Sequence, residues 1–120
     1  MSKNILIVDD CGTTRKLLSY MIKVAGHNAV GAVNGFDALE KLAQNDIALV
    51  VTDLNMPQMD GLELVKNIRG DDIYKNIPVI MLTTEAGERD KEIGFQAGVN
   101  IYMTKPVTSK WLAYQIEKLL

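Results

Sequence analysis

Ile47-Ala48-Leu49-Val50-Val51-Thr52-Asp53 is an apolar run that ends in a carboxylate, and Leu54-Asn55-Met56-Pro57 follows it. Aliphatic and β-branched residues without polar alternation suit a strand covered on both faces, as in a parallel sheet. The same punctuation recurs along the chain. Ile5-Leu6-Ile7-Val8 ends in Asp9-Asp10, Val79-Ile80-Met81-Leu82 ends in Thr83, and the short run Ile101-Tyr102-Met103 precedes Lys105-Pro106. As strands of one parallel sheet, these runs would gather their polar ends at one edge. That edge then holds three carboxylates, a hydroxyl and an ammonium, a set that suits a divalent cation and a phosphoryl group.

Between the runs the apolar spacing changes to three and four. Thr13 or Thr14 starts a helix with Leu17, Leu18, Met21, Ile22 and Ala25 on one face, and Gly26 fits the position just past its end. Ala29–Val33 reads as a second strand, weakened by Gly31; Asn34-Gly35 is a turn, and Ala38, Leu39 and Leu42 mark a short helix. Asp60-Gly61-Leu62-Glu63 opens a third helix in the manner of a capping box. Glu88–Ala97 is a fourth, ended by Gly98. Gly94 within it costs about 1 kcal/mol relative to alanine, so this helix is expected to be locally soft. Thr108 or Ser109 caps a last helix with Leu112, Ile116 and Leu119 on one face. Five strand-helix units imply an α/β domain spanning residues 1–120, a three-layer sandwich with a parallel sheet between helices.

Composition narrows the function. The 120 residues are 48% apolar and 23% charged, ordinary for one soluble globular domain with a core. Net charge is −2, and Lys3, Lys16, Lys23 and Lys41 are scattered, which argues against direct nucleic-acid binding. No apolar run approaches the roughly 20 residues that span a bilayer. The N-terminus lacks a signal core, so a cytoplasmic location is expected. The single cysteine, Cys11, cannot form an internal disulfide and has no sequence neighbour that would activate it. His27 reads as part of a solvated turn, and Met56, Met59, Met81 and Met103 as loop and core packing.

Three carboxylates within about 5 Å repel by roughly 3 kcal/mol per pair at an effective dielectric of 20, so they need a cation or a proton. An oxygen-only set without His or Cys favours Mg²⁺ over zinc.

Asp9-Asp10, Asp53, Met56-Pro57, Asp60-Gly61, Thr83 and Lys105-Pro106, in this order, resemble the receiver domain of two-component response regulators. The likeness covers nearly the whole chain. Within the family it is greatest to single-domain chemotaxis regulators, through residues 54–64 and Thr83-Thr84-Glu85-Ala86. The resemblance implies a flavodoxin-like (βα)5 fold with strand order 2-1-3-4-5, of which chemotaxis receivers are themselves a standard example. Ligands then sit where the order switches, between strands one and three.

It also implies roles. Asp53 is the phosphoacceptor, and Thr83 and Lys105 contact the phosphoryl group. One or both of Asp9 and Asp10, directly or through water, hold Mg²⁺ together with Asp53 and the backbone carbonyl of Asn55, and Mn²⁺ can substitute. Lys105-Pro106 is a cis bond that aims the ammonium into the site. Thr83 and Tyr102 form a switch, with Thr84 restricting the ring. Asn55 and Glu85 flank the path of hydrolytic water, leave it open and tune hydrolysis. Val107 departs from the family, which usually has Phe there.

The implied donor is a sensor histidine kinase. The output is a downstream protein bound at the face of the fourth helix, fifth strand and last helix, where Trp111 is either an anchor or a core-edge residue. The chain is expected to be a monomer before phosphorylation, and not a dedicated enzyme. Alternatives are a phosphorelay intermediate, a receiver excised from a larger regulator or, in a different class, a flavodoxin-like cofactor binder. Asp9-Asp10 would repel the phosphate of FMN. An Asp-nucleophile phosphohydrolase would usually need a second Asp at position 55, where this chain has Asn.

Overall fold

Successive residues of a strand point to opposite faces of a sheet, and here both faces are covered. Ile5, Ile7, Leu49, Val51, Ile80 and Leu82 pack with Leu18, Met21, Ile22, Leu112 and Ile116. Leu6, Val8, Val50, Val79 and Met81 pack on the other side with Ala38, Leu42, Leu64, Val65 and Ile68. Each such buried aliphatic side chain contributes about 1.5–3 kcal/mol. This is why the strands read as unbroken apolar runs.

The computed structural model describes residues 2–120. Its elements are β1 (Asn4–Val8), α1 (Gly12–Val24), β2 (Asn28–Ala32), α2 (Gly35–Gln44), β3 (Ile47–Thr52), α3 (Gly61–Arg69), β4 (Val79–Thr83), α4 (Glu88–Ala97), β5 (Ile101–Thr104) and α5 (Ser109–Leu119). The five strands are parallel in the order β2-β1-β3-β4-β5, as the resemblance implies. Helices α1 and α5 cover one face and α2, α3 and α4 the other.

Register places the site. Val8 lies opposite Ala32 and Thr52, Thr52 opposite Met81, and Thr83 opposite Thr104. Asp9, Asp53 and Lys105 each come one residue after a strand, so they project from one edge. The ladder runs past the strand ends: Asp53 N–H donates to the Val8 carbonyl at 2.9 Å and Asp9 N–H to the Ala32 carbonyl at 3.2 Å.

Several local expectations need correction. Helix α1 starts at Gly12, before Thr13, and its N-cap residue Cys11 supplies no side-chain oxygen. Asp9 supplies one nearby instead, with Oδ1 accepting from Cys11 N–H at 2.9 Å. Leu17 is 54% exposed, so the core face of α1 is narrower than expected and consists of Leu18, Met21 and Ile22. Strand β2 is shifted one residue towards the N-terminus, and Val33 lies outside it, its N–H donating to Asp37 Oδ2 at 2.9 Å. Asn34-Gly35 is a helix start, with Asn34 Oδ1 accepting from Asp37 N–H at 2.8 Å. His27 is buried, with Nδ1 accepting from Lys3 N–H at 3.0 Å and Nε2 lying 2.7 Å from Glu117 Oε1. It joins the residue before β1 and helix α5 to the turn after α1, so it is not a solvated turn residue.

Other expectations hold. Asp60 caps α3 through Glu63 N–H at 2.9 Å, and Thr108 caps α5 through Trp111 N–H at 3.1 Å. Met56, Met59, Met81 and Met103 are buried. Gly98 follows α4 with φ +114°, a left-handed conformation that glycine adopts without steric cost. No helix among the described residues is long and apolar enough to cross a membrane.

Candidate functional site

The turn after β1 and the turn after β3 bring three acids together. Single carboxylate oxygens of Asp9, Asp10 and Asp53 all lie within 4.8 Å of one another. Asp9 is buried, Asp53 is half-buried and Asp10 is exposed. Lys105, from beyond β5, donates Nζ to Asp9 Oδ2 at 2.9 Å and approaches Asp53 Oδ2 at 3.4 Å. Burial of the ammonium lowers its pKa, but the bond to Asp9 and the charges of Asp53 and Asp9 outweigh this and raise it overall. The Lys105-Pro106 bond is cis. Leu54 N–H donates to Asp53 Oδ1 at 2.7 Å.

Thr83 is fully buried at the end of β4, and its Oγ1 accepts from Glu85 N–H at 3.3 Å. Its carbonyl accepts from Lys105 N–H at 2.8 Å, so the turns carrying the hydroxyl and the ammonium are tied together. A cleft of about 360 Å³ opens beside the acids, lined by Asp10, Asn55, Met56, Pro57 and Asp60. The three acids offer only oxygen ligands, and Lys105 reaches Asp9 and Asp53 from beyond β5. This set fits a small hard dication through Asp9, Asp10 and Asp53, with Asn55 on the cleft wall.

These features agree with the comparisons. The family model described as the response regulator receiver domain matches residues 5–117. The chain belongs to the response regulator receiver family. It is 42% identical to the chemotaxis protein CheY1 of Helicobacter pylori over 118 residues, 97% of this chain and 95% of that protein. It is also 42% identical to CheY-3 of Vibrio cholerae over 122 residues, 99% of this chain and 94% of that protein. Among solved structures, CheY4 of Vibrio cholerae superposes with a TM-score of 0.94 at 32% identity, covering 100% of both chains.

The resemblance treats Asn55 and Glu85 as separate polar groups beside an open path. In this receiver Asn55 Nδ2 donates to Glu85 Oε1 at 3.0 Å, so the two side chains are paired rather than separate. The register of β3 and β4 puts the two loops side by side, and their side chains pair. Tyr102 is half-buried on β5, and its hydroxyl donates to the Glu85 carbonyl at 2.6 Å. Burial, then the charges of Asp90, Glu85 and Asp53, raise its pKa. The ring lies against Gly94 of α4, where a Cβ would come within 3.1 Å of Cδ2. Gly94 therefore has a packing reason that helix propensity alone hides. Trp111 and Tyr114 are exposed and stacked, with centroids 5.4 Å apart, so Trp111 is not packed into the core edge.

Arg15, Gln58 and Arg69 carried no recognised signal, and Gly61 was read only within its motif. Arg15 NH1 donates to the Asp9 carbonyl at 2.8 Å. Gly61 lets α3 approach the β3 end, because a Cβ there would run into the Asp53 carbonyl oxygen. Gln58 has φ +71°, and Met59 N–H bonds to the Pro57 carbonyl at 2.9 Å across it, a tight turn rarely built on a non-glycine residue. Arg69 ties the end of α3 to the turn after α4, donating to Gly98 O, Lys75 O, Ile77 O and Asn100 Oδ1. Val107 lines an apolar groove of about 190 Å³ with Leu17, Leu18, Met21 and Leu82, beside Lys105. The Cys11 thiol is exposed, with its pKa lowered chiefly by the side chain of Thr14.

Proposed function

We propose that the chain is a single receiver domain that accepts a phosphoryl group on Asp53 from a histidine kinase and signals through a protein partner, in chemotaxis or motility. The observation that carries this reading is the convergence of Asp9, Asp10 and Asp53 with Lys105 Nζ 3.4 Å from Asp53 Oδ2. Carboxylates can act as nucleophiles and form acyl phosphates. In the transfer, a carboxylate oxygen of Asp53 attacks phosphorus, an O–P bond forms, and the P–N bond to the donor imidazole breaks. Phosphoryl transfer depends mainly on positioning and on neutralising the oxygens around phosphorus.

Lys105 supplies one fixed positive charge to those oxygens, and Thr83 supplies a hydroxyl. Asp9, Asp10, Asp53 and the Asn55 carbonyl would hold Mg²⁺ or Mn²⁺, which when bound neutralises further phosphoryl charge. Asp9 also holds Lys105 through its bond at 2.9 Å. The chain thus takes part in its own phosphorylation and hydrolysis without being a dedicated enzyme.

Phosphorylation adds charge and strong acceptor oxygens. Drawing Thr83 towards them changes the space beside Tyr102 on the neighbouring strand. The partner is read at the face of α4, β5 and α5, where the exposed Trp111 and Tyr114 offer aromatic anchors. We assign a cytoplasmic, monomeric unphosphorylated state. Asp53→Asn tests the reading: incubation with a small phosphodonor and Mg²⁺ should add one phosphoryl group to the wild type, seen by mass spectrometry, and none to the variant. Equal incorporation in both would exclude Asp53 as acceptor.

A further inference from the structure

Two residues look misplaced when judged locally, and each explains the other. Arg15 puts a cation in the first turn of α1, where the helix dipole disfavours positive charge, and that turn holds no acid. Gly31 lies within β2, where a residue without a side chain weakens a strand. A Cβ on Gly31 would come 3.3 Å from Arg15 Cδ and 3.7 Å from Cγ and Nε. The bare backbone of β2 is thus a bed for the arginine stem. From there the guanidinium lies beside the start of α1, and NH1 donates to the Asp9 carbonyl at 2.8 Å.

That carbonyl belongs to the peptide plane joining Asp9 to Asp10. The plane is rigid, so with the Asp9 nitrogen and Cα held, fixing its oxygen sets ψ of Asp9 and with it the place of the Asp10 Cα. Asp9 is already held by Cys11 N–H on Oδ1, by Lys105 on Oδ2 and by its own N–H on Ala32. Asp10 is the exposed acid of the three, and its aim depends on its backbone. We propose that Arg15, seated on Gly31, is a positioning residue that orients the Asp9–Asp10 peptide so that Asp10 meets Asp9 and Asp53 at the divalent-cation site. The proposal rests on the metal reading given above.

Charge and position predict opposite signs for Arg15→Gln. Removing a cation near three carboxylates should tighten Mg²⁺ binding if Arg15 acts only through charge. Loss of an orienting partner should weaken it, by about tenfold or more on the scale of groups that support metal ligands. The experiment is an NMR titration of Mg²⁺ into wild type, Arg15→Gln, Arg15→Lys and Gly31→Val, with metal-free amide spectra and urea midpoints for each. Expected are an affinity lowered about tenfold in Arg15→Gln, partial recovery in Arg15→Lys, and a similar loss in Gly31→Val at an unchanged or higher urea midpoint, since valine favours strands. The Asp10 and Cys11 amides should shift in Arg15→Gln and Gly31→Val before any metal is added.

Unchanged or tighter Mg²⁺ binding in Arg15→Gln overturns the proposal, as do unmoved Asp10 and Cys11 amides in the metal-free spectra. Should Arg15→Gln fail to fold, the Gly31→Val titration decides by the same criteria. A wild type that binds no Mg²⁺ sinks the metal reading, and the amide shifts then decide whether Arg15 orients the peptide.

Discussion

Replacing Gly94 with alanine tests the close contact between α4 and Tyr102 of β5. Gly94 is buried on α4 without a left-handed backbone, so alanine suits its conformation. In an unobstructed helix the change should add about 1 kcal/mol. Here the new Cβ would lie 3.1 Å from Tyr102 Cδ2 and 3.2 Å from Cε2, against ordinary carbon contacts of about 3.5–4.0 Å. The ring cannot yield freely, because its hydroxyl is held 2.6 Å from the Glu85 carbonyl. Moving the ring forfeits that bond, about 1 kcal/mol, and cancels the gain. Keeping the ring in place costs about 1–3 kcal/mol of overpacking.

Gly94→Ala alone should therefore leave stability unchanged or lowered, whereas in a Tyr102→Ala background it should stabilise by about 1 kcal/mol. At a slope of about 1.5 kcal/mol per molar urea, that gain moves the midpoint by roughly 0.7 M. Urea unfolding of the four proteins followed by circular dichroism measures the coupling, and ¹⁹F NMR of fluorotyrosine reports the ring directly. A gain of about 1 kcal/mol in both backgrounds, with an unmoved ring signal, would refute the claim that Gly94 makes room for Tyr102.

Gly61→Ala should cost about 3 kcal/mol, because the Cβ meets the backbone of Asp53 and Leu54, which cannot move aside; a urea midpoint near wild type would contradict this. Tyr102 and Lys105 have pKa values raised from 10.0 and 10.5. The folded state therefore holds both protons more tightly than the unfolded chain. Their contribution is complete below about pH 10 and lost as pH rises through the raised values. Urea midpoints measured from pH 8 upward should fall at the alkaline end, less steeply in Lys105→Met, and identical curves would count against the ion pair. Leucine at Asn55 or at Glu85 removes the hydrogen bond between them and replaces a polar group with an apolar one; on the proposed reading, water then reaches phosphorylated Asp53 less readily. Decay of the phosphorylated form in saturating Mg²⁺ should slow several-fold, and unchanged decay in both variants would mean that the pair does not gate water. Asp10→Ala should weaken Mg²⁺ binding by removing the exposed acid of the cluster; an unchanged titration would remove Asp10 from the metal set.

The central strands and the polar residues that end them are legible in the chain alone. A strand covered on both faces must be apolar throughout, so Ile5–Val8, Ile47–Thr52 and Val79–Leu82 announce themselves, and the residues that end them are as visible as the runs. Caps are equally local: Asp60 and Thr108 bond to amides three residues on. Contacts across long separations were decided by the tertiary structure alone. Lys105 meets Asp9 across 96 positions, and His27 meets Glu117 across 90. Nothing in the turn around His27 shows that α5 will cover it. Gly31 and Gly94 read as local weaknesses and Gly61 as part of a helix start, because the chain does not show which distant atom fills the space where a Cβ would stand. Asn55 and Glu85 were each legible as polar, but their bond depends on two loops brought side by side by β3 and β4. Periodicity and capping are written within a few residues, whereas register and close approach arise only when the whole sheet is assembled.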